Sequence, residues 1–343
     1  MRTRSWPGMV TVVMLLALLA ALPLLSACSG DEDTTTPAPT KAPTAQPTAA
    51  PTATPAPTAA AVEEFDIVLA AATSYMGDRA GNMKASDLHM RIADDDAPYI
   101  VSIRSADHYA AGHIPGAVNI TFGELTTLPK DEEILIYCYT GQSGSMAAAL
   151  LGVLGYDVQN LKHGMSSWST DPDVYISRFN PETAQNDYAV ETTANSVTTT
   201  YDFPVLENTT SADADVIVEA AVAAVTPKYT TAGDLKLKIA EEEDMTIVSI
   251  RSADHYAAGH VPGAINIPFA TLMDNLDKID PDSPVYVYCY TGHSSAQATA
   301  LLNMLGYDAY SMKFGMCSWT PDTTVNMGAC FDASTVQGYA VEK

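Results

Sequence analysis

Residues 101–120 read VSIRSADHYAAGHIPGAVNI, and residues 248–267 read VSIRSADHYAAGHVPGAINI; eighteen of the twenty positions are identical. Whatever the first copy folds into, the second must fold into as well. The duplication extends further. Ile136–Gly141 returns at Val287–Gly292, Leu154–Asp157 at Leu305–Asp308, Gly164–Trp168 at Gly315–Trp319, and Tyr188–Glu191 at Tyr339–Glu342. The spacing of about 150 residues is far longer than a solenoid repeat and matches two whole domains. We place these domains at residues 62–192 and 214–343. A Thr-, Asn- and Ser-rich linker, 193–213, joins them.

Within each copy, helical and strand patterns alternate. Asp66–Tyr75 and Asp215–Val225 have amphipathic helical patterns, and Asp87–Ile92 predicts a short helix with Ser86 as its cap. Tyr99–Ile103, Glu133–Cys138 and Val285–Cys289 read as buried strands. Small-residue helices follow at Ser145–Leu154 and Ser295–Leu305. Such alternation predicts an α/β fold: two tandem domains, each a central parallel sheet flanked by helices. Ligands of such sheets sit at the carboxyl ends of the strands.

The 17 Lys and Arg residues stand against 41 Asp and Glu, a formal charge of −24. That balance argues against nucleic acid, whose phosphates need a basic face. Five cysteines are too few for a disulfide-built scaffold. The chain opens with Arg2 and Arg4, then an apolar run from Met9 to Leu25, then Ser26-Ala27-Cys28. This reads as a signal segment over 1–27. Its end resembles the bacterial lipobox, which implies a diacylglyceryl group on Cys28 and an extracytoplasmic, membrane-anchored lipoprotein. Residues 28–61 then form a Pro-, Thr- and Ala-rich tether, of which 31–61 could reach about 90 Å as polyproline II.

Cys138 and Cys289 each close a strand and open a short loop that runs into a helix. Backbone N–H groups of such a loop point inward, and the helix N-terminus favours negative charge on the sulfur. The same cysteine could instead be a buried structural residue, but two copies with matching flanks argue for chemistry.

Ser-Ile-Arg, Ala-Gly-His-x-Pro-Gly-Ala, the strand-Cys-Tyr-Thr-Gly loop, Leu-Gly-Tyr-Asp and Gly-Met-x-x-Trp together resemble the rhodanese family in each half. The resemblance implies persulfide-forming sulfur carriers at Cys138 and Cys289 and a small sulfur-containing substrate. It implies that Tyr139, Thr140, Gly141, Gln142, Ser143 and Gly144 cradle the first sulfur. Tyr290, Thr291, Gly292, His293, Ser294 and Ser295 would cradle the second. The expected activity is transfer of sulfane sulfur from thiosulfate or polysulfide to a thiophilic acceptor; the alternative is a persulfide relay or sulfide-sensing module. Arg104 and Arg251 line the pocket on one reading and tie down neighbouring groups on the other. Thiosulfate-using members often carry Arg or Lys in the loop, and here neither loop does. His293 is the candidate cation, expected to titrate near ~6.5 and to make the second domain the better thiosulfate user. A phosphatase loop would need an arginine six positions after the cysteine, where Gly144 and Ser295 stand.

Other polar residues have structural readings. His113 and His260 precede Pro-Gly turns and are expected to anchor them, while Asp94–Asp96 and Glu241–Glu243 are expected to be solvated. No metal or cofactor is expected, because the seven histidines do not cluster with other ligand types. Cys317 and Cys330 have Ser166 and Phe179 as counterparts. Two unmatched cysteines in an exported domain suggest a disulfide with each other, contributing about 3 kcal/mol in the chain-entropy model. The alternative makes Cys317 a resolving thiol for Cys289.

Overall fold

Uncharged four-residue runs rich in branched and aromatic side chains form the middle of each sheet, where both faces are covered. The computed structural model describes residues 64–343. The signal segment 1–27, Cys28 and the tether 28–61 lie outside the described residues. The first repeat runs α1 (Glu64–Gly77), β1 (Asn82–Met83), α2 (Ala85–Ala93), β2 (Tyr99–Ser102), α3 (Ala106–Ala111), β3 (Val118–Asn119), β4 (Ile134–Tyr137), α4 (Gln142–Val153), β5 (Val158–Leu161), α5 (Met165–Trp168), α6 (Pro172–Tyr175) and α7 (Pro181–Ala184). The second runs α8 (Ala214–Ala224), β6 (Tyr229–Thr230), α9 (Ala232–Ala240), β7 (Thr246–Ser249), α10 (Ala253–Ala258), β8 (Ile265–Asn266), β9 (Val285–Tyr288), α11 (His293–Met304), β10 (Ala309–Met312), α12 (Met316–Trp319) and α13 (Thr323–Asn326).

Each repeat forms one five-stranded parallel sheet, ordered β1-β5-β4-β2-β3 and β6-β10-β9-β7-β8. The central strand of each, β4 or β9, is buried along its whole length and leads directly to Cys138 or Cys289. Register aligns Val101 with Ile136 and Ile136 with Asn160 across the middle of the first sheet. Tandem α/β domains with parallel sheets are thus what the chain folds into.

The two repeats share a core. Helix α4 lies along α11, and α1 packs on both α4 and α8. Ala147, Ala148 and Ala149 of α4, and Ala296, Ala298 and Ala300 of α11, are fully buried. Helices this rich in small residues can be covered all round, with each flanked by its own sheet and by its twin. The opposite face of each sheet has a core of its own, centred on Trp168 and Trp319.

The ends of the repeats are exchanged. Tyr188–Glu191 closes the first repeat in sequence but packs on the second. Glu191 and His260 exchange backbone hydrogen bonds of 2.9 Å each way, and Trp319 Nε1 donates to the Ala189 carbonyl at 3.0 Å. Tyr339–Glu342 crosses in the other direction. Glu342 pairs with His113, and Trp168 Nε1 donates to the Ala340 carbonyl at 2.9 Å. Residue 192 is therefore a boundary along the chain and not one in space. The intervening 193–213 segment is also engaged: Asn195 N–H donates to Tyr256 Oη, and the Asn208 and Thr209 N–H groups donate to the Glu64 carboxylate.

Three local expectations shift. Helix α2 starts at Ala85 with Lys84 before it, so Ser86 lies inside the first turn and its hydroxyl donates to Asp87 instead of capping. Helices α4 and α11 start two or three residues earlier than the sequence pattern suggests. Gly141 and Gly292 take left-handed backbone (φ +81° and +87°) at their N-caps, which turns the chain into the helix sooner.

Candidate active site

Each cysteine sits where its central strand meets the first turn of a twelve-residue helix. Cys138 and Cys289 are free thiols and almost fully buried. The Gly144 N–H donates to Cys138 Sγ at 3.3 Å, and the Gly292 N–H donates to Cys289 Sγ at 3.2 Å. Backbone donors and a helix N-terminus thus converge on each sulfur and favour negative charge there. The donors differ, six residues beyond the cysteine in one loop and three in the other.

The Gly-Met-x-x-Trp motif clamps each loop from behind. Met165 and Ser166 N–H groups donate to the carbonyls of Cys138 and Tyr139, and Met316 and Cys317 repeat the arrangement on Cys289 and Tyr290. A side chain at Gly164 would bring Cβ to 2.4 Å from the Cys138 carbonyl oxygen, and Gly315 is as tightly held against Cys289. Gly144 similarly makes room for Asn160, whose Oδ1 would lie 2.2 Å from an added Cβ. At the same positions the second repeat has Ser295 and Ser311, hydroxyl to hydroxyl at 2.9 Å.

The loop residues diverge in where they point. Tyr139 and Tyr290 turn their phenols outward to His108 Nδ1 (2.7 Å) and His255 Nδ1, anchoring the loops on α3 and α10. Thr140 and Thr291 face each other across a cavity of about 10 Å³ between the loops, also lined by His163, Phe314, Phe179 and Phe331. Gln142 and His293 reach across the interface. Gln142 Oε1 accepts from the Phe314 N–H at 3.3 Å, and His293 Nε2 accepts from the His163 N–H at 3.1 Å.

That last bond corrects the expectation for His293. An Nε2 that accepts a backbone N–H leaves the ring proton on Nδ1, which lies 2.8 Å from Thr291 Oγ1. Burial, then His163 and Lys162, hold the pKa of His293 well below the ordinary imidazole range. His293 is a neutral tie between repeats, not a cation awaiting an anionic donor.

The arginines tie down neighbouring groups, one of the two roles their sequence allows. Arg104 donates to the carbonyls of Val174 (2.9 Å) and Gly112 (2.5 Å), and Arg251 donates to those of Val325 (2.9 Å) and Gly259 (2.6 Å). Both are buried, and through these bonds they tie α6 or α13 to the turn before the Pro-Gly. His113 and His260 stack on Tyr109 and Tyr256, as turn anchors should. Cys317 is joined to Cys330 in a disulfide with Cα atoms 5.4 Å apart, so it offers Cys289 no resolving thiol. Among the described residues, no group of three His, Cys, Asp or Glu side chains converges on a metal position.

Two neighbours of the loops carried no signal in the sequence, because they come from the opposite repeat. Tyr229 of β6 bonds Ser143, and Lys162 acts electrostatically on His293.

A buried cysteine at the end of the central strand of a parallel sheet, with the loop that opens the next helix bonded to its sulfur, is the feature both α/β repeats share. The model of the Rhodanese-like domain matches residues 84–171 and 231–322, and the chain belongs to that family. Among its relatives, Thiosulfate sulfurtransferase GlpE of Pseudomonas putida is 34% identical over 105 residues, covering 30% of this chain and 88% of that protein. An HTH-type transcriptional regulator of Mycobacterium tuberculosis is 32% identical over 108 residues, and the match spans 31% of this chain and 48% of the regulator. Among solved structures, a Rhodanese-like Domain Protein from Staphylococcus aureus is 34% identical, covering 27% of this chain and 90% of that one, with a TM-score of 0.26.

Proposed function

We propose that this protein is a sulfurtransferase that carries sulfane sulfur as a persulfide on Cys138 and Cys289. The observation that carries the reading is the pair of buried thiols, each bonded by a backbone N–H at a helix N-terminus. With thiosulfate, the cysteine thiolate attacks the outer sulfur. The S–S bond of the donor breaks, its electron pair leaves with sulfite, and the cysteine keeps a persulfide anion. The cradle stabilises charge on the outer sulfur without reorganising. A thiophilic acceptor then attacks that sulfur and the thiolate returns; cyanide would leave as thiocyanate. The relationship to GlpE supports this reading. The lipobox-like Leu25–Cys28 supports a tethered, extracytoplasmic location.

A second reading has its own support. The thiols are only 3% and 4% exposed and the space between the loops is small. A relay or sensing module, which takes sulfur from one partner without fast turnover, suits so closed a site, and one relative is a transcriptional regulator.

Polysulfide treatment followed by peptide mass mapping tests the reading. Both Cys138 and Cys289 should gain a reducible adduct of about 32 Da, one sulfur atom. Cyanide should remove it with stoichiometric thiocyanate, and Cys→Ser at either position should abolish that site's share. Absence of the adduct at both positions overturns the proposal. Adducts that form but are not discharged by cyanide favour the relay.

A further inference from the structure

The two cysteine loops look across the interface at different side chains. Opposite Ser143, Tyr229 of β6 fills the gap, its phenol 3.0 Å from Ser143 Oγ. Burial pushes the pKa of Tyr229 up, the Ser143 bond works against that, and the nearby Cys138 adds to the rise. The Tyr229 position is thus close enough to its cysteine to feel it. In the first repeat the same position is Asn82, opposite Ser294 of the Cys289 loop. Asn82 is shorter and is held by the Asn160 amide at 2.7 Å. A cleft of about 370 Å³ stays open there, between Ser294 and Gln297 on one side and the edge of the first sheet on the other.

The remaining wall of this cleft is Arg79, Lys84 and Lys162. Three cations in one cleft are a marked concentration in a chain with 17 Lys and Arg against 41 acids. Among the described residues none of the three is in an ion pair. Arg79 is fixed at the interface by the Phe269 ring, 4.7 Å below its guanidinium. The field reaches the loop, since Lys162 is one of the groups that oppose protonation of His293. The corresponding positions facing Cys138 are Thr226, Thr231 and Lys313; Lys228, at the place of Gly81, is a further cation there but is bound to Asp308 at 2.7 Å, so the unpaired charge is greater on the Cys289 side.

We propose that Arg79, Lys84 and Lys162 of the first repeat form the anion-recognition site for Cys289 of the second, taking small anionic sulfane donors such as thiosulfate or short polysulfides. The substrate class rests on the sulfurtransferase reading; the anion selectivity does not. The cation that the Cys289 loop lacks is supplied across the interface by three unpaired side chains, where the Cys138 loop has Lys313 alone at the corresponding positions.

Iodoacetate and iodoacetamide differ little in shape and by one charge, so their relative rates report the field at each thiol without sulfur transfer. Both would be reacted with the full-length, non-reduced protein and read by peptide mapping. The iodoacetate-to-iodoacetamide rate ratio at Cys289 should exceed that at Cys138 by about tenfold at low ionic strength and fall with added salt. Combined Arg79→Gln, Lys84→Gln and Lys162→Gln should bring the two ratios together. Lys162→Gln alone should do so in part, and the surface control Lys236→Gln should leave them apart. Equal ratios in the unaltered protein, or a Cys289 preference that survives the triple change, would overturn the proposal. Charge-selective alkylation without persulfide on either cysteine would sink the sulfurtransferase reading and keep the anion site; persulfide formation without selectivity would do the reverse.

Discussion

His163 and Phe314 occupy the same position in the two repeats and the same left-handed backbone, φ +63° and +61°. Their backbone N–H groups make equivalent bonds across the interface, to His293 and Gln142. The side chains differ in what they do with a proton. Burial and then Lys162 lower the pKa of His163 to about 4, from an ordinary 6.5. The ring is therefore neutral in the fold at neutral pH. As pH falls below the unfolded value, the unfolded chain takes up a proton that the fold refuses, so stability is lost between about pH 6.5 and about pH 4 and not above it. That shift corresponds to free energy on the order of 3 kcal/mol. His163→Phe copies the second repeat at a position where phenylalanine is already accommodated. Urea midpoints at pH 7 and pH 5 should lie closer together in this variant than in the unaltered protein. His293 acts in the same direction, so some slope should remain. An unchanged slope would show that His163 titrates normally.

At the scale of elements, the exchanged tails make a claim that chain order does not suggest. Tyr339–Lys343 ends the second repeat, yet its bonds are to the first: Glu342 to His113 and Gly116, and Ala340 to Trp168. Truncation after Gly338 should loosen the first repeat and leave the second protected. Amide exchange at His113 and Gly116 should accelerate sharply, while His260 and Gly263, held by Glu191, should keep their rates. Loss of five hydrogen bonds at about 1 kcal/mol each sets the scale. The reverse pattern of exchange would mean that each tail folds on its own repeat. The sequence could not reveal this, because Tyr188–Glu191 and Tyr339–Glu342 are identical and either fits either site. Strands β2, β4 and β9 were legible because four uncharged, mostly branched or aromatic residues between polar turns have few other places to go, whereas the two-residue edge strands and the mixed runs of β5 and β10 carry no such pattern. The cysteine loops were legible because their chemistry sits in consecutive residues. The role of His293 was not, and Arg104 and Arg251 were left between two readings, since each is decided by what packs on the side chain from distant segments.

The described residues form a pseudo-dimer within one chain: two sheets back to back, α4 and α11 between them, tails crossed. The layer between the sheets has little of its own to hold it apart from the partner. Helix α4 has no charged residue and buries nine of its twelve. An isolated first repeat, residues 64–192, would leave that helix facing water on its α11 side. It would also hold a Tyr188–Glu191 segment that ordinarily docks elsewhere. A second copy answers both needs. Two α4 helices can pack as α4 and α11 do, and each copy's Tyr188–Glu191 can take the place of Tyr339–Glu342 on the other copy's His113 and Trp168. We expect this fragment to form a closed two-fold dimer. Sedimentation equilibrium should give twice the fragment mass, and replacing Ala148 by Glu in α4 should dissociate it by burying an unpaired charge. A monomeric fragment that keeps native amide protection at His113 would show that the repeat can close on its own tail. The exchange would then be a feature of the tandem chain and not of the repeat itself.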